Sequence, residues 1–269
     1  MMARRKILMG ILLIGGGLHL SYGQSDMLLY HFNGVGQSLY TNPGMPQENR
    51  LWIAPPAISG VSFHYHNTGF NLEEVFKKSA DINTNLARLS ANIENRNELQ
   101  LQSSVDLLGL GLQVGPNYFS LGARQVAYAF TDYPDSFFKT LFSGKNSLSN
   151  FQMSDFSQEI NVYNETYLGY QRSLYEDELT VGIRAKYLMG QGHRHSESFE
   201  VNARQEGVQD PVQMETDILF RSGGSLTNDF QNFQESFFSG NGGYALDLGA
   251  HWRPDSSWHF SMSLIDWGR

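Results

Sequence analysis

The sequence predicts an all-β fold, an antiparallel transmembrane β-barrel made by an exported chain. Three observations predict it. The first is a leader over residues 1–23. Arg4, Arg5 and Lys6 precede an apolar run from Ile7 to Leu20. Ser21-Tyr22-Gly23 then puts small residues at −3 and −1 before Gln24, as signal peptidase requires. The second is a series of segments, each about ten residues long, in which apolar residues alternate with small or polar ones. The third is composition: 27 Gly, 13 Tyr and 18 Phe in 269 residues, with 17% charged and a mean hydropathy of −0.36. A helical membrane protein would be far more apolar, whereas a membrane-crossing strand needs only ~9–11 residues. The leader is the only long apolar run, so helices cannot anchor the mature chain. A secreted soluble β-sandwich shares most of these traits and stays open as an alternative.

Charge and cysteine content exclude several functions. The chain carries 19 Lys+Arg and 27 Asp+Glu, for a net −8. Removing residues 1–23 takes three cations and no acid, leaving 16 against 27, or −11. Nucleic acid is therefore not an expected partner, because phosphate binding needs basic patches. With no Cys there is no disulfide framework, thiolate metal site or Cys nucleophile.

The elements follow in order. Residues 24–50 are irregular and turn-rich, a plug-like N-terminal segment inside the lumen. In it Asn42 can cap a short helical turn with Pro43 at its first position; a plain turn is the simpler alternative. A strand fits Ile58–Tyr65. The period then changes: residues 71–97 place Leu72, Val75, Phe76, Leu86, Leu89 and Ile93 at helical spacing behind Asn71 as cap. That predicts a helical insertion, outside the sheet or plugging it. Leu99–Val114 and Tyr118–Phe130 form a hairpin about Gly115-Pro116-Asn117, with Gln125 an exception on the apolar face. Asp135–Leu141 reads as a short helix. Glu159–Leu174 and Leu179–Met189 form a second hairpin, the latter with Val181, Ile183, Ala185 and Tyr187 opposite Arg184 and Lys186. Ser196–Phe220 is more polar and reads as a long hairpin or loop, and Asp229–Phe238 as a brief helix. Gly243–Trp252 and Trp258–Leu264 are the last strands. Trp252 and Trp258 flank their turn, where an aromatic girdle would lie.

The chemistry-bearing candidates are few. Arg184, Lys186 and Asp247 share the polar faces of their strands, and in a bilayer that face must be the interior. Pairing with one another to hold a plug is favoured over contact with substrate. His64 with His66 and His193 with His195 have two-ligand spacing, but no third ligand is evident, so no metal site is expected. Glu215 and Asp217 read as a solvated loop. Gly109-Leu110-Gly111 with Gly115 misses the dinucleotide spacing and lies in a strand. Asn164-Glu165-Thr166 is a glycosylation triplet of a kind common by chance. No catalytic residue, cofactor or enzyme activity is expected.

Gln37-Ser38-Leu39-Tyr40 leading into Asn42-Pro43 resembles the amino-terminal motif of barrels related to the long-chain fatty acid transporters. Four further segments are similar to an uncharacterised Bacteroidota outer-membrane family of that group. They are Ile58-Ser59-Gly60-Val61-Ser62 with Asn67-Thr68-Gly69-Phe70, Tyr118-Phe119-Ser120-Leu121-Gly122, Val181–Leu188 before Gly190, and Ala245-Leu246-Asp247-Leu248-Gly249-Ala250. The segment Ser261–Gly268 also resembles that family, with Trp267 a departure from it. The resemblance implies an outer-membrane barrel domain over 24–269. It implies transport of hydrophobic compounds or an envelope scaffold, or else an accessory barrel of the type IX protein secretion machinery. Its partners would be outer-membrane lipid and other envelope or secretion proteins. About eight strands are countable, and the chain stops at Arg269 where family members run on. The expectation is that C-terminal strands are missing from this sequence.

Overall fold

The computed structural model describes residue 29 and residues 34–56, 59–78, 81–142, 150–175, 178–205, 211–226, 241–255 and 257–268. The signal peptide read over 1–23 and the brief helix read over Asp229–Phe238 lie outside the described residues.

Alternating sequence becomes one antiparallel sheet of ten strands. They are β1 (Leu51–Ala54), β2 (Val61–Asn67), β3 (Arg96–Val114), β4 (Asn117–Pro134), β5 (Asn150–Met153), β6 (Ser157–Leu174), β7 (Leu179–Arg204), β8 (Gln213–Gly224), β9 (Gly242–Trp252) and β10 (Phe260–Gly268). Some are two pieces of one line. β1 pairs with Gly109–Leu112 of β3 and β2 with Leu99–Val105, so the two run end to end. Pro55 and Pro56 follow β1; without N–H groups they cannot continue the ladder. β5 and β6 share one flank of β7, while β8 and β9 share the other. The result is a meander along the path β1-β3-β4-β6-β7-β9-β10, in which every step is to the next line of the chain.

The antiparallel all-β architecture is as expected, and the described strands form a single sheet that is not closed into a barrel. Among the described residues, the β1/β2 line and β10 each pair on one side only. Seven lines fall short of the eight strands that close a small barrel.

The helical insertion read over 71–97 is also corrected. It is two short helices, α1 (Leu72–Val75) and α2 (Ile82–Asn92), and its last residues belong to β3. The break has a local cause. Asp81 is extended (φ −67°, ψ 160°), and its carboxylate accepts from Thr84 N at 2.9 Å, which starts a new helix. Ile93 returns to extended backbone. With α3 (Asp135–Phe142) these helices cap one end of the sheet. There Ile93 and Tyr133 are buried against Phe70, Leu86, Leu99, Phe137 and Phe156. Short turns at Gly115-Pro116 and after Tyr175 mark the other end; Gly115 has φ +58°, which suits glycine.

Pleating separates two faces of opposite character. One face is bare and apolar. Leu51, Leu112, Phe119, Tyr170, Ile183, Leu248 and Leu264 are successive cross-strand partners over the whole sheet, and all are exposed. The next row is Ile53, Leu110, Leu121, Leu168, Ala185, Leu246 and Trp267. Aromatic pairs bound this band: Trp252 stacks on Phe260 at 5.4 Å, and Tyr187 meets Tyr244 at 5.2 Å. From Tyr244 to Trp252 the strand rises roughly 27 Å. Gln125 pairs with Asn164 one row beyond Tyr187, so the polar exception sits at the margin of the band.

Candidate functional site

The other face is covered by the chain's own N-terminal segment. A 3₁₀ turn over Gly36–Tyr40 leads into Thr41–Gln47, and Leu39, Tyr40, Asn42 and Met45 are buried. The sheet can accept this segment because small residues lie beneath it. A Cβ on Gly182 would overlap the Pro43 carbonyl oxygen, and one on Gly249 would overlap Asn42 Oδ1. The glycines are close-approach positions. Asn42 is fully buried and satisfied. Its Nδ2 donates to Ala250 O at 3.1 Å and Ser261 Oγ at 2.7 Å, and its Oδ1 accepts from Gly44 N at 2.7 Å. Asn42 and Pro43 thus form a side-chain-closed turn, not the start of a helix. Gln171 Nε2 donates to Met45 O at 2.5 Å.

Beside this segment lies a ladder of buried charge. Asp106 on β3 faces Arg124 on β4, and Arg124 faces Glu165 on β6. Arg184 on β7 faces Asp247 on β9. Arg124 Nη2 donates to Glu165 Oε2 at 2.9 Å. Arg184 reaches Asp247 Oδ2 through Nε at 2.7 Å and Nη2 at 2.6 Å. Lys186 Nζ links the halves, at 2.9 Å from Asp247, 2.6 Å from Asp266 and 3.8 Å from Glu165. The side chains of Glu165, Arg184, Lys186 and Asp247 are at most 1% exposed. Charges so deep survive only when paired. Tyr40 ties the ladder to the N-terminal segment. Its hydroxyl donates to Asp106 Oδ1 at 2.9 Å, and the Arg124 and Arg184 guanidinium carbons lie 4.5 and 5.1 Å from its ring centroid. Gln37 Nε2 adds a bond to Asp106 Oδ2 at 3.0 Å.

The arrangement spans most of the domain that the comparisons define. Residues 43–269 match the model of DUF5723, a family of unknown function. The chain belongs to this family. No curated protein and no solved structure matches it.

In this DUF5723 chain the structure brings Arg184, Lys186, Asp247, Asn42 and Pro43 onto one face. Sequence reasoning missed Tyr40, Asp106, Arg124, Glu165 and Asp266. A usable signal existed for two of them: Arg124 shares its strand face with Ser120 and Gly122, and Glu165 shares its own with Tyr167 and Gly169. The remaining candidates lie elsewhere. Asn164 of the glycosylation triplet is buried mid-strand. Glu215 and Asp217 are exposed on β8, which corrects their reading as a loop. His193 and His195 stand together, Nε2 to Nδ1 at 3.1 Å. Among the described residues, no group of three or more His, Asp or Glu is placed to hold a metal.

Proposed function

We propose that this chain is an integral outer-membrane β-barrel protein of transport type, with residues 36–47 as an internal plug. The observation that carries the reading is the bare apolar band across every line of the sheet, backed by buried charge. A soluble sandwich would cover such a face with a second sheet, whereas the described strands form one. The band's aromatic margins, about nine residues apart along β9, suit the ~9–11-residue strands and aromatic girdles of outer-membrane barrels. The short turns at one end and the longer connections at the other suit it too. The ladder then lines the lumen, where cations avoid lipid. The resemblance to the fatty acid transporters supports transport and adds hydrophobic compounds as a cargo class. Fractionation tests the reading: the mature chain should stay in the membrane pellet through carbonate and high salt. Its release would overturn the proposal.

One observation favours a second role as an accessory interaction barrel of a secretion machine. Beyond the band, β7 and β8 continue as an arm, with Met214, Ile218 and Leu219 of β8 exposed. Shortening this arm should abolish co-purification of a specific envelope partner in that case, and leave transport intact otherwise.

A further inference from the structure

Beyond the charge ladder, on the same covered face, lies a cavity of about 1070 Å³. Strand β7 passes from plug to ladder to cavity: Gly182 meets the plug, Arg184 and Lys186 form the ladder, and Leu188 and Gly190–His193 line the cavity. The polar lining includes Gln102, Tyr128, Asn161, Tyr163, Gln191 and His193, with Asn241 and Asp266 beside them.

Gln191 is the informative residue. The β6–β7 pairing steps from Tyr163↔Gly190 to Val162↔Gly192, which leaves Gln191 as the extra residue of a bulge. Bulges re-aim side chains and recur beside functional sites. Gln191 is 4% exposed, and its Nε2 has no hydrogen-bond partner among the described residues. Its own carbonyl is used, accepting from Ser225 N at 2.8 Å. A buried amide donor without an acceptor is costly. An acceptor oxygen on a ligand would relieve that cost.

The lining also restricts the ligand. It contains no Lys or Arg, and its carboxylate, Asp266, is held by Lys186 at 2.6 Å. A carboxylate ligand would find no free counter-ion there. Only Val126, Val162 and Leu188 are aliphatic, too few to sheathe an acyl chain. Glycines from β7, β8 and β9 make much of the remaining wall. Two phenol rings on neighbouring strands, with amides and an imidazole around them, suit a ring that has apolar C–H faces and hydroxyls at its rim. A peptide would instead call for apolar side-chain pockets.

We propose that this cavity binds a neutral oligosaccharide. The inference rests on the reading of this face as a lumen, and it gives this cavity a hydroxylated ligand.

The test uses the full chain, folded in detergent, with maltohexaose and cellohexaose as probes in titration calorimetry. Palmitate and hexaglycine are the comparison ligands. At least one hexasaccharide should bind. Gln191→Leu should weaken it about tenfold, the scale of one buried hydrogen bond. Gly223→Trp should weaken it strongly, because a Cβ at Gly223 meets no atom within 4 Å and the indole can project into the cavity without displacing backbone. Glu215→Gln, on the exposed face of β8, should leave binding unchanged. Heat-modifiable gel mobility checks that each variant is folded. Failure of both hexasaccharides to bind folded wild type overturns the proposal, as does binding that ignores both cavity variants. Palmitate or hexaglycine binding that is strongly weakened in Gly223→Trp would assign the cavity to a different ligand and overturn it equally. Failure of the membrane reading is scored separately, by carbonate release of the wild-type chain.

Discussion

At the scale of single residues, Asp247 carries the most. It is 0% exposed and receives both Arg184 and Lys186, and its Oδ1 accepts from Asp266 N at 2.8 Å. Asp247→Ala would leave two buried cations short of a partner. That should cost ~3–5 kcal/mol, as breaking a buried pair does, read as a lower urea midpoint. Adding Arg184→Leu should recover part of the loss, because it removes one of the stranded charges. A cost below ~1 kcal/mol would mean that Asp247 behaves as an exposed pair. Gly182 is the second residue of consequence. Gly182→Val must push Pro43 away, so limited proteolysis should cut residues 36–47 in the variant and spare them in wild type. Equal cutting would show that the segment is not held by this contact.

At the scale of elements, the strands with one apolar face were legible and their ends were not. Leu179–Met189 shows its alternation plainly, because Val181, Ile183 and Tyr187 face outward against Arg184 and Lys186. Its continuation to Arg204 was read only within a long hairpin or loop over Ser196–Phe220, since His193–Ser198 has polar residues on both faces; the structure has the hairpin, between β7 and β8. β1 was hidden for another reason: Leu51-Trp52-Ile53-Ala54 has only four residues, and its order comes from pairing with β3. The pairing of Arg124 with Glu165 could not be read either, because a register between distant strands is a tertiary fact. The apolar band makes its own prediction. In liposomes, Ile183→Arg should destabilise by ~2–4 kcal/mol, the cost of a cation near the bilayer midplane. Ile218→Arg, on the arm beyond the band, should cost little. Urea unfolding of the two variants separates a lipid-facing band from a face in water, where they would behave alike.

At the scale of the molecule, plug, ladder and cavity share one face, and their order predicts how flow would be controlled. The segment over residues 36–47 crosses from Asp106 on β3, through Tyr40, to Ser261 on β10, through Asn42. It therefore blocks the face at the level of the short turns, and the cavity lies beyond the ladder. Its hold combines hydrogen bonds at Asn42, Gln171 and Tyr40 with close backbone contact at Gly182 and Gly249. The neutral hydrogen bonds at Asn42 and Gln171 contribute ~0.5–1.5 kcal/mol each, and the bond from Tyr40 to the Asp106 carboxylate about 1.5–3 kcal/mol, so together they keep the segment seated. Deleting residues 36–47 should raise single-channel conductance in planar bilayers well above wild type. The Arg184, Lys186 and Asp247 cluster would remain on the same face. A synthetic peptide of residues 36–47, added to the short-turn side, should lower the current again, and the same peptide with Asn42→Ala should do so less well. If the deletion conducts no more than wild type, the segment braces the sheet without closing a passage. The ladder would then hold the wall together and not line a path.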